Sequence, residues 1–283
     1  MEKRQLGQTG EMLSVVGFGG IVVMDEGQTH ADRYAAEAID RGVNYFDVAP
    51  TYGNAEERLG PALRPYRSSA FLACKTGKRT RTEAEADLMQ SLQRLQTDYF
   101  DLYQFHALTS VEEVEQVLGP DGAAEAVLEA RRQGLVRYVG FSAHSEEAAL
   151  AMLDGMDVDS MLFPLNLYCW HCGGFGPRVL AKARDKGVGI LALKALARRA
   201  YRKGEQHSWK KCWYEPVRTP EQAAMGLRFT LSLPITAAVS PGHVDLFRWA
   251  CDAADEFAPL PEGEAASYAA EMEGKPLFRA GEG

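Results

Sequence analysis

Cysteine is scarce in this chain, and so is any long apolar run. Five cysteines in 283 residues form an odd, sparse set that does not read as a disulfide framework. No apolar run approaches the roughly 20 residues of a membrane-spanning helix. The opening Met1-Glu2-Lys3-Arg4-Gln5 leads into no apolar signal core. Positive charge is in deficit, with 31 Lys and Arg against 39 Asp and Glu, a net charge of −8. That balance argues against a general nucleic-acid or anionic-membrane binder, while leaving room for a local basic pocket. Low-complexity segments are missing, as is any linker long enough to separate two domains. The expectation is a cytoplasmic protein, a single domain over residues 1–283, with a small molecule rather than nucleic acid or membrane as partner.

What is present supports a large core, since 46% of the residues are apolar. The length suits one α/β barrel of roughly 250 residues. Short apolar runs start near residues 15, 44, 71, 101, 136, 160, 189 and 237. Amphipathic stretches lie between them. Asp32 to Arg41 stops before Gly42; Thr82 to Leu95 opens on Thr82 with Glu85 three residues on, a capping-box pattern. Ala123 to Gln133 is closed by Gly134, Ser145-Glu146 opens the next helix, and Pro177 to Lys186 is closed by Gly187. Thr219-Pro220-Glu221 starts another helix with proline at its first position. Eight strands at a near-regular period with helices between them predict a parallel (β/α)8 barrel. Residues 3 to 14, around Gly7-Gln8-Thr9-Gly10, read as a hairpin ahead of it.

The run Asn44 to Phe46 ends in Asp47-Val48-Ala49-Pro50-Thr51-Tyr52-Gly53, whose Pro and Gly read as a turn. A carboxylate and a phenol five residues apart can then face one spot above a sheet. Phe71 to Lys75 ends in a lysine, and Asp101 to His106 ends in a histidine. A phenol alone is a poor acid at neutral pH, with a reference pKa of about 10. A cation beside it favours phenolate, a carboxylate would hold that cation, and a histidine could hydrogen-bond a reacting oxygen.

Asp47, Tyr52, Lys75 and His106, in this order and at these spacings, resemble the aldo-keto reductases, and the resemblance runs from Leu13 to Gly242. It implies a TIM barrel whose bottom is capped by the N-terminal hairpin. It also implies reduction of an aldehyde or ketone by a nicotinamide cofactor. Tyr52 would supply the proton, Lys75 would tune it, Asp47 would hold Lys75 and His106 would aim the carbonyl. The implied cofactor contacts are Gly19, Gly20, Ser142, Asn166, Lys194, the turn Ser240-Pro241-Gly242-His243, and Arg248 on the helix Val244 to Phe257. That turn and Arg248 point to NADP(H) rather than NAD(H). The sequence departs from the family at Ala143, Leu162 and Leu193 around the nicotinamide, and at Gly242 and Asp252 near the phosphate turn. His144 and Lys194 are the residues that could compensate. A cofactor-binding regulatory protein with little turnover is the alternative, and a monomer is the default.

Two stretches need separate treatment. Residues 198–218, rich in Arg, Lys, Trp and Tyr, form an insertion after the seventh strand, placed to cover cofactor or substrate through Trp209, Trp213 and Tyr214. Cys169-Trp170-His171-Cys172 has the form of a redox pair or half a metal site, yet lies outside the usual dithiol context and has only Cys212 as a plausible third thiolate. The expectation is a structural or substrate-loop role with no bound metal. Beyond Pro261 a last helix should pack on the barrel.

Overall fold

Residues two apart on a strand share a face, and here that rule decides what fills the centre of the molecule. The computed structural model describes residues 1–261, 263–271 and 274–281. Its strands are β1 (Lys3–Gln5), β2 (Met12–Ser14), β3 (Val16–Gly19), β4 (Tyr45–Asp47), β5 (Phe71–Thr76), β6 (Phe100–Leu108), β7 (Val136–Ala143), β8 (Ser160–Pro164), β9 (Gly189–Leu193), β10 (Ala197–Ala200), β11 (Tyr214–Pro216) and β12 (Ala237–Val239). Eight of them close into a barrel in the order β12-β3-β4-β5-β6-β7-β8-β9, every neighbour parallel. Tyr45, Phe71, Ala73, Leu102, Leu162, Leu191 and Ala237 belong to one buried cluster, together with Leu6 and Leu13 of the hairpin. The alternate residues Phe46, Leu72, Cys74, Tyr103 and Phe105 belong to a larger cluster with the surrounding helices. The barrel is thus a packed core in two layers, with β1 and β2 carrying Leu6 and Leu13 into one end.

Several boundaries moved for identifiable reasons. Asn44 precedes β4 rather than starting it. Its side chain accepts from Ser14 N at 2.7 Å and donates to Met12 O at 2.8 Å, tying the hairpin to the barrel. The first long helix begins at Gln28, not Asp32. The helix expected from Thr82 begins at Arg81, with Thr80 as its cap. Thr80 Oγ1 meets Glu83 Oε2 at 2.7 Å, so the Thr/Glu pairing falls two residues earlier than read. Backbone bonds from Arg81 N to Asp121 O and from Ala123 N to Arg79 O set this start, and both are long-range. Helices Ala55–Leu63 and Val111–Leu118 are additional to those expected.

The insertion is not simply a loop. Its ends are β10 and β11, paired antiparallel directly after β9. Past Pro261, helix Glu264–Glu271 buries Ala265 and Ala269 in a cluster with Leu167 and Tyr168. Near the end of the described residues, Phe278 stacks on His144 and Phe175.

Candidate active site

Asp47, Lys75 and His106 reach one place because each lies on the inward parity of its strand, at the C-terminal end where barrel chemistry sits. Register sets Asp47 beside Ala73 and Lys75 beside Gln104, so Lys75 stands one inward step above the neighbour of Asp47. Lys75 Nζ forms a short ion pair with Asp47 Oδ1 and donates to Val48 O at 3.1 Å. Both side chains are buried, at 0% and 2% exposure. The second carboxylate oxygen of Asp47 accepts from Tyr45 OH at 3.1 Å and from Gln104 Nε2 at 3.2 Å. Tyr45 and Gln104 were not singled out in the sequence. The signal was there, since each sits two residues before a site residue on the same strand face.

Tyr52 comes from the turn after β4. Tyr52 N bonds Ala49 O, and Gly53 takes φ +55°, a conformation that glycine adopts without steric cost. The phenol packs edge-on against the His106 ring, centroids 5.9 Å apart at 85°. Lys75 Nζ lies 5.6 Å from the Tyr52 ring centroid. Burial raises the pKa of the phenol; Lys75 pulls it down, Asp47 pushes it up, and the balance is upward. Lys75 therefore does not make Tyr52 a phenolate in this state. It moderates the acidity of a group that keeps its proton at neutral pH.

His106 sits in a bulge of β6, where the register to β7 shifts between Phe105 and Leu108. Bulges beside active sites re-aim side chains. Ala107 adopts φ +54°, and its N–H donates to Ser142 Oγ at 2.7 Å. Arg79 holds the His106 carbonyl at 3.0 Å. Burial, followed by the charges of Lys75, Lys194 and Arg79, lowers the imidazole to about 3, so His106 is neutral and carries one N–H.

These groups open on a cavity of about 290 Å³ whose wall includes Tyr52, Lys75, His106, Ser142, Ser240, Pro241 and Gly242. Of the candidate cofactor residues, Gly19, Ser142, Lys194 and Ser240 to Gly242 line it; Gly20, Asn166, His243 and Arg248 do not. Gly19 N donates to Ser240 Oγ at 3.0 Å, and a Cβ on Gly19 would meet Ser240 O at 2.3 Å. A Cβ on Gly20 would press on Val48, so that glycine serves the packing of β3 against β4. Asn166 caps helix Leu167–Gly173 by accepting from Cys169 N at 2.8 Å. His243 caps helix Val244–Asp255, accepting from Asp245 N at 3.2 Å. Arg248 is gripped by Glu37 through two 2.8 Å bonds and by Asp245 at 3.1 Å.

The departures around the expected nicotinamide position have a structural counterpart. Leu162 and Leu193 line the cavity with apolar surface, and His144 and Lys194 stand together in the same wall, Nε2 and Nζ 3.0 Å apart. The insertion contributes Lys211, Cys212, Trp213 and Tyr214 to the wall. Lys211 crosses to Glu26 at 2.7 Å and Val22 O at 2.8 Å. Trp209 lies outside the lining and packs on His243 and Trp249. All five thiols are free. Cys169 is buried and Cys172 exposed on one short helix; neither lines the cavity, whereas Cys212 does. Among the described residues no group of three His, Cys, Asp or Glu is placed to hold a metal ion. No described helix is long and apolar enough to cross a membrane.

An eight-stranded parallel barrel with a phenol, a neutral imidazole and a buried lysine–carboxylate pair at its mouth defines a (β/α)8 protein built for polar chemistry at one end. The chain belongs to the aldo/keto reductase family, whose model matches residues 16–258. Aldo-keto reductase YhdN of Bacillus subtilis is 32% identical over 219 residues, 70% of this chain and 63% of that protein. L-galactose dehydrogenase of Arabidopsis thaliana is 28% identical over 215 residues, 70% and 66%. The uncharacterized oxidoreductase YqkF of Bacillus subtilis is 30% identical over 182 residues, 59% and 57%. The matched stretch thus spans less than two thirds of each of these relatives. The holo form of an aldo-keto reductase from Bacillus halodurans superposes with a TM-score of 0.74 at 24% identity, covering 97% of this chain and 98% of that one. That likeness bears on the fold.

Proposed function

We propose that the protein reduces an aldehyde or ketone to an alcohol, with Tyr52 as proton donor and NADP(H) preferred over NAD(H). One observation carries the reading: a phenol that keeps its proton, a neutral imidazole and a buried ammonium meet in one cavity. The residues fit a nicotinamide nucleotide in that the cavity runs from Tyr52 to the backbone turn Ser240–Gly242. A side chain on Gly19 would collide with that turn, and one on Gly242 would crowd Lys211 at 3.0 Å. The turn leads into helix Val244–Asp255, and backbone N–H groups at a helix start attract phosphate.

When bound, the reduced cofactor supplies a hydride to the carbonyl carbon. The chain does the rest. The N–H of His106 orients the carbonyl oxygen and stabilises charge growing there. Tyr52 delivers its proton to that oxygen as it becomes alkoxide. Lys75 stabilises the phenolate left behind, and Asp47, steadied by Tyr45 and Gln104, keeps Lys75 charged and in place. Burial lowers the Lys75 pKa, but Asp47 and Tyr52 outweigh it and the net shift is upward.

Tyr52→Phe preserves the ring and removes the acid. Reduction of simple aldehydes should fall by at least about 10²-fold, the scale of a positioned acid, with cofactor affinity retained. Near-normal turnover in the mutant would remove the central assignment.

A further inference from the structure

Just after β9, Lys194 holds φ +66°, a left-handed conformation that a residue with a side chain adopts only at a steric cost. Nothing in the chain's route demands a lysine at that position. The strained backbone aims its side chain into the cavity that holds Tyr52 and His106. There Nζ lies 3.0 Å from Nε2 of His144, 5.3 Å from the centroid of Trp213 and 5.8 Å from that of Phe278. Phe278 in turn stacks on His144 at 5.4 Å. Two aromatic faces and an imidazole therefore surround one ammonium.

The charges of the wall are unequal. Lys75 is matched by Asp47, and Lys211 by Glu26. Among the described residues Lys194 has no carboxylate partner, and the only acidic side chain in the cavity wall is Asp47. Burial draws the Lys194 ammonium down to about 7. Burial thus leaves the amine only partly charged at neutral pH, and an anion that arrives with the ligand favours its protonated form.

We propose that Lys194 binds a carboxylate carried by the carbonyl substrate, so that the protein selects aldehydes or ketones bearing an acid group. Trp213, 54% exposed and part of the cavity wall, supplies an apolar face for the carbon frame between the two ends. The single charge of a carboxylate matches the single ammonium of Lys194, a compact point charge on a flexible stem. The inference rests on the carbonyl-reductase reading above and adds the substrate's chemical class.

The test uses 4-carboxybenzaldehyde and its neutral counterpart 4-methylbenzaldehyde. Calorimetric binding to the full chain is measured with oxidised NADP, so that no turnover is needed; reduction rates with NADPH are measured separately. Wild type should bind the carboxylate at least about tenfold more tightly, as one charge-assisted hydrogen bond gives. Lys194→Met should bring the ratio to near one, and Lys194→Arg, which retains a cation, should recover part of it. The preference should appear in KM more than in kcat. No preference in wild type would overturn the inference whatever the rates. So would a Lys194→Met variant that keeps the preference, or one that weakens NADPH and both aldehydes equally, which would mark a cofactor contact. Tight, Lys194-dependent binding of the acid without reduction of either aldehyde would support the anion site and overturn the reductase reading.

Discussion

Removing Lys75 and Asp47 singly and together separates what the pair does for the fold from what it does for the chemistry. Both side chains are almost wholly enclosed. Lys75→Met leaves a carboxylate with the hydroxyl of Tyr45 and the amide of Gln104 but no cation. Asp47→Asn leaves an ammonium whose remaining charged partner is gone and whose other acceptor is Val48 O. Stranding one member of a buried pair costs about 3–5 kcal/mol. For Asp47→Asn there is an independent ceiling. An ammonium that cannot be held gives up its proton, and neutralising a lysine of reference pKa about 10.4 at pH 7 costs at most about 5 kcal/mol. A folded domain has about 5–15 kcal/mol in all, so each single mutant should be visibly destabilised. In the double mutant no charge remains, and the amide oxygen introduced in place of the carboxylate would still accept from Tyr45 and Gln104. The double should therefore lose at least about 2 kcal/mol less than the sum of the singles. The shifted group is Lys75, raised by Asp47 and Tyr52 against burial. A raised lysine contributes stability that is present below the unfolded pKa and is lost only as pH rises through the folded one, so an assay at pH 7 sees it in full. The measurement is urea denaturation of the four proteins, followed by two probes to check two-state behaviour. Reduction rates are taken on the same samples, and the double mutant should be stable yet about 10²-fold slower. Additive losses would refute the buried-pair reasoning. A double mutant with wild-type rates would refute the tuning of Tyr52.

Two further outcomes follow from the geometry. NADPH should bind more tightly than NADH, with Arg248→Ala weakening NADPH selectively by about tenfold and Glu37→Gln, which releases the guanidinium, strengthening it; equal dissociation constants for the two cofactors would defeat the assignment. His106 and His144 are lowered by burial to about 3 and about 2, so below pH 6.5 the unfolded chain takes up protons that the native one refuses. Stability should then fall with a slope that approaches about 1.4 kcal/mol per pH unit for each histidine as the pH drops from 6.5 to 5, and His144→Asn should reduce that slope; an unchanged slope would show that His144 titrates in the fold.

Much of the architecture was legible in order along the chain, because strand periodicity and the placement of glycines and prolines are local. The eight barrel strands begin within about a residue of where the apolar runs do. Asp47, Lys75 and His106 stood out since each ends such a run, and a parallel barrel brings strand ends together whatever lies between them. The same inward parity would have pointed to Tyr45 and Gln104, had it been carried two residues back from each.

What the tertiary structure alone decided is who holds whom across long separations. Arg248 is on the expected helix, but only the packing of Gln28–Asp40 beside it brings Glu37 to its guanidinium. Asn166 sits at the expected strand end, yet a short helix begins there and takes its side chain as a cap. The Lys194–His144 contact joins residues 50 apart, each just past the end of a barrel strand, and the aromatic box around it is completed by Phe278 from near the end of the described chain. Composition and spacing can say that a lysine stands at a strand end. Whether its charge meets a carboxylate, as Lys75 does, or is left facing an imidazole, as Lys194 is, depends on which neighbours the closed barrel sets beside it.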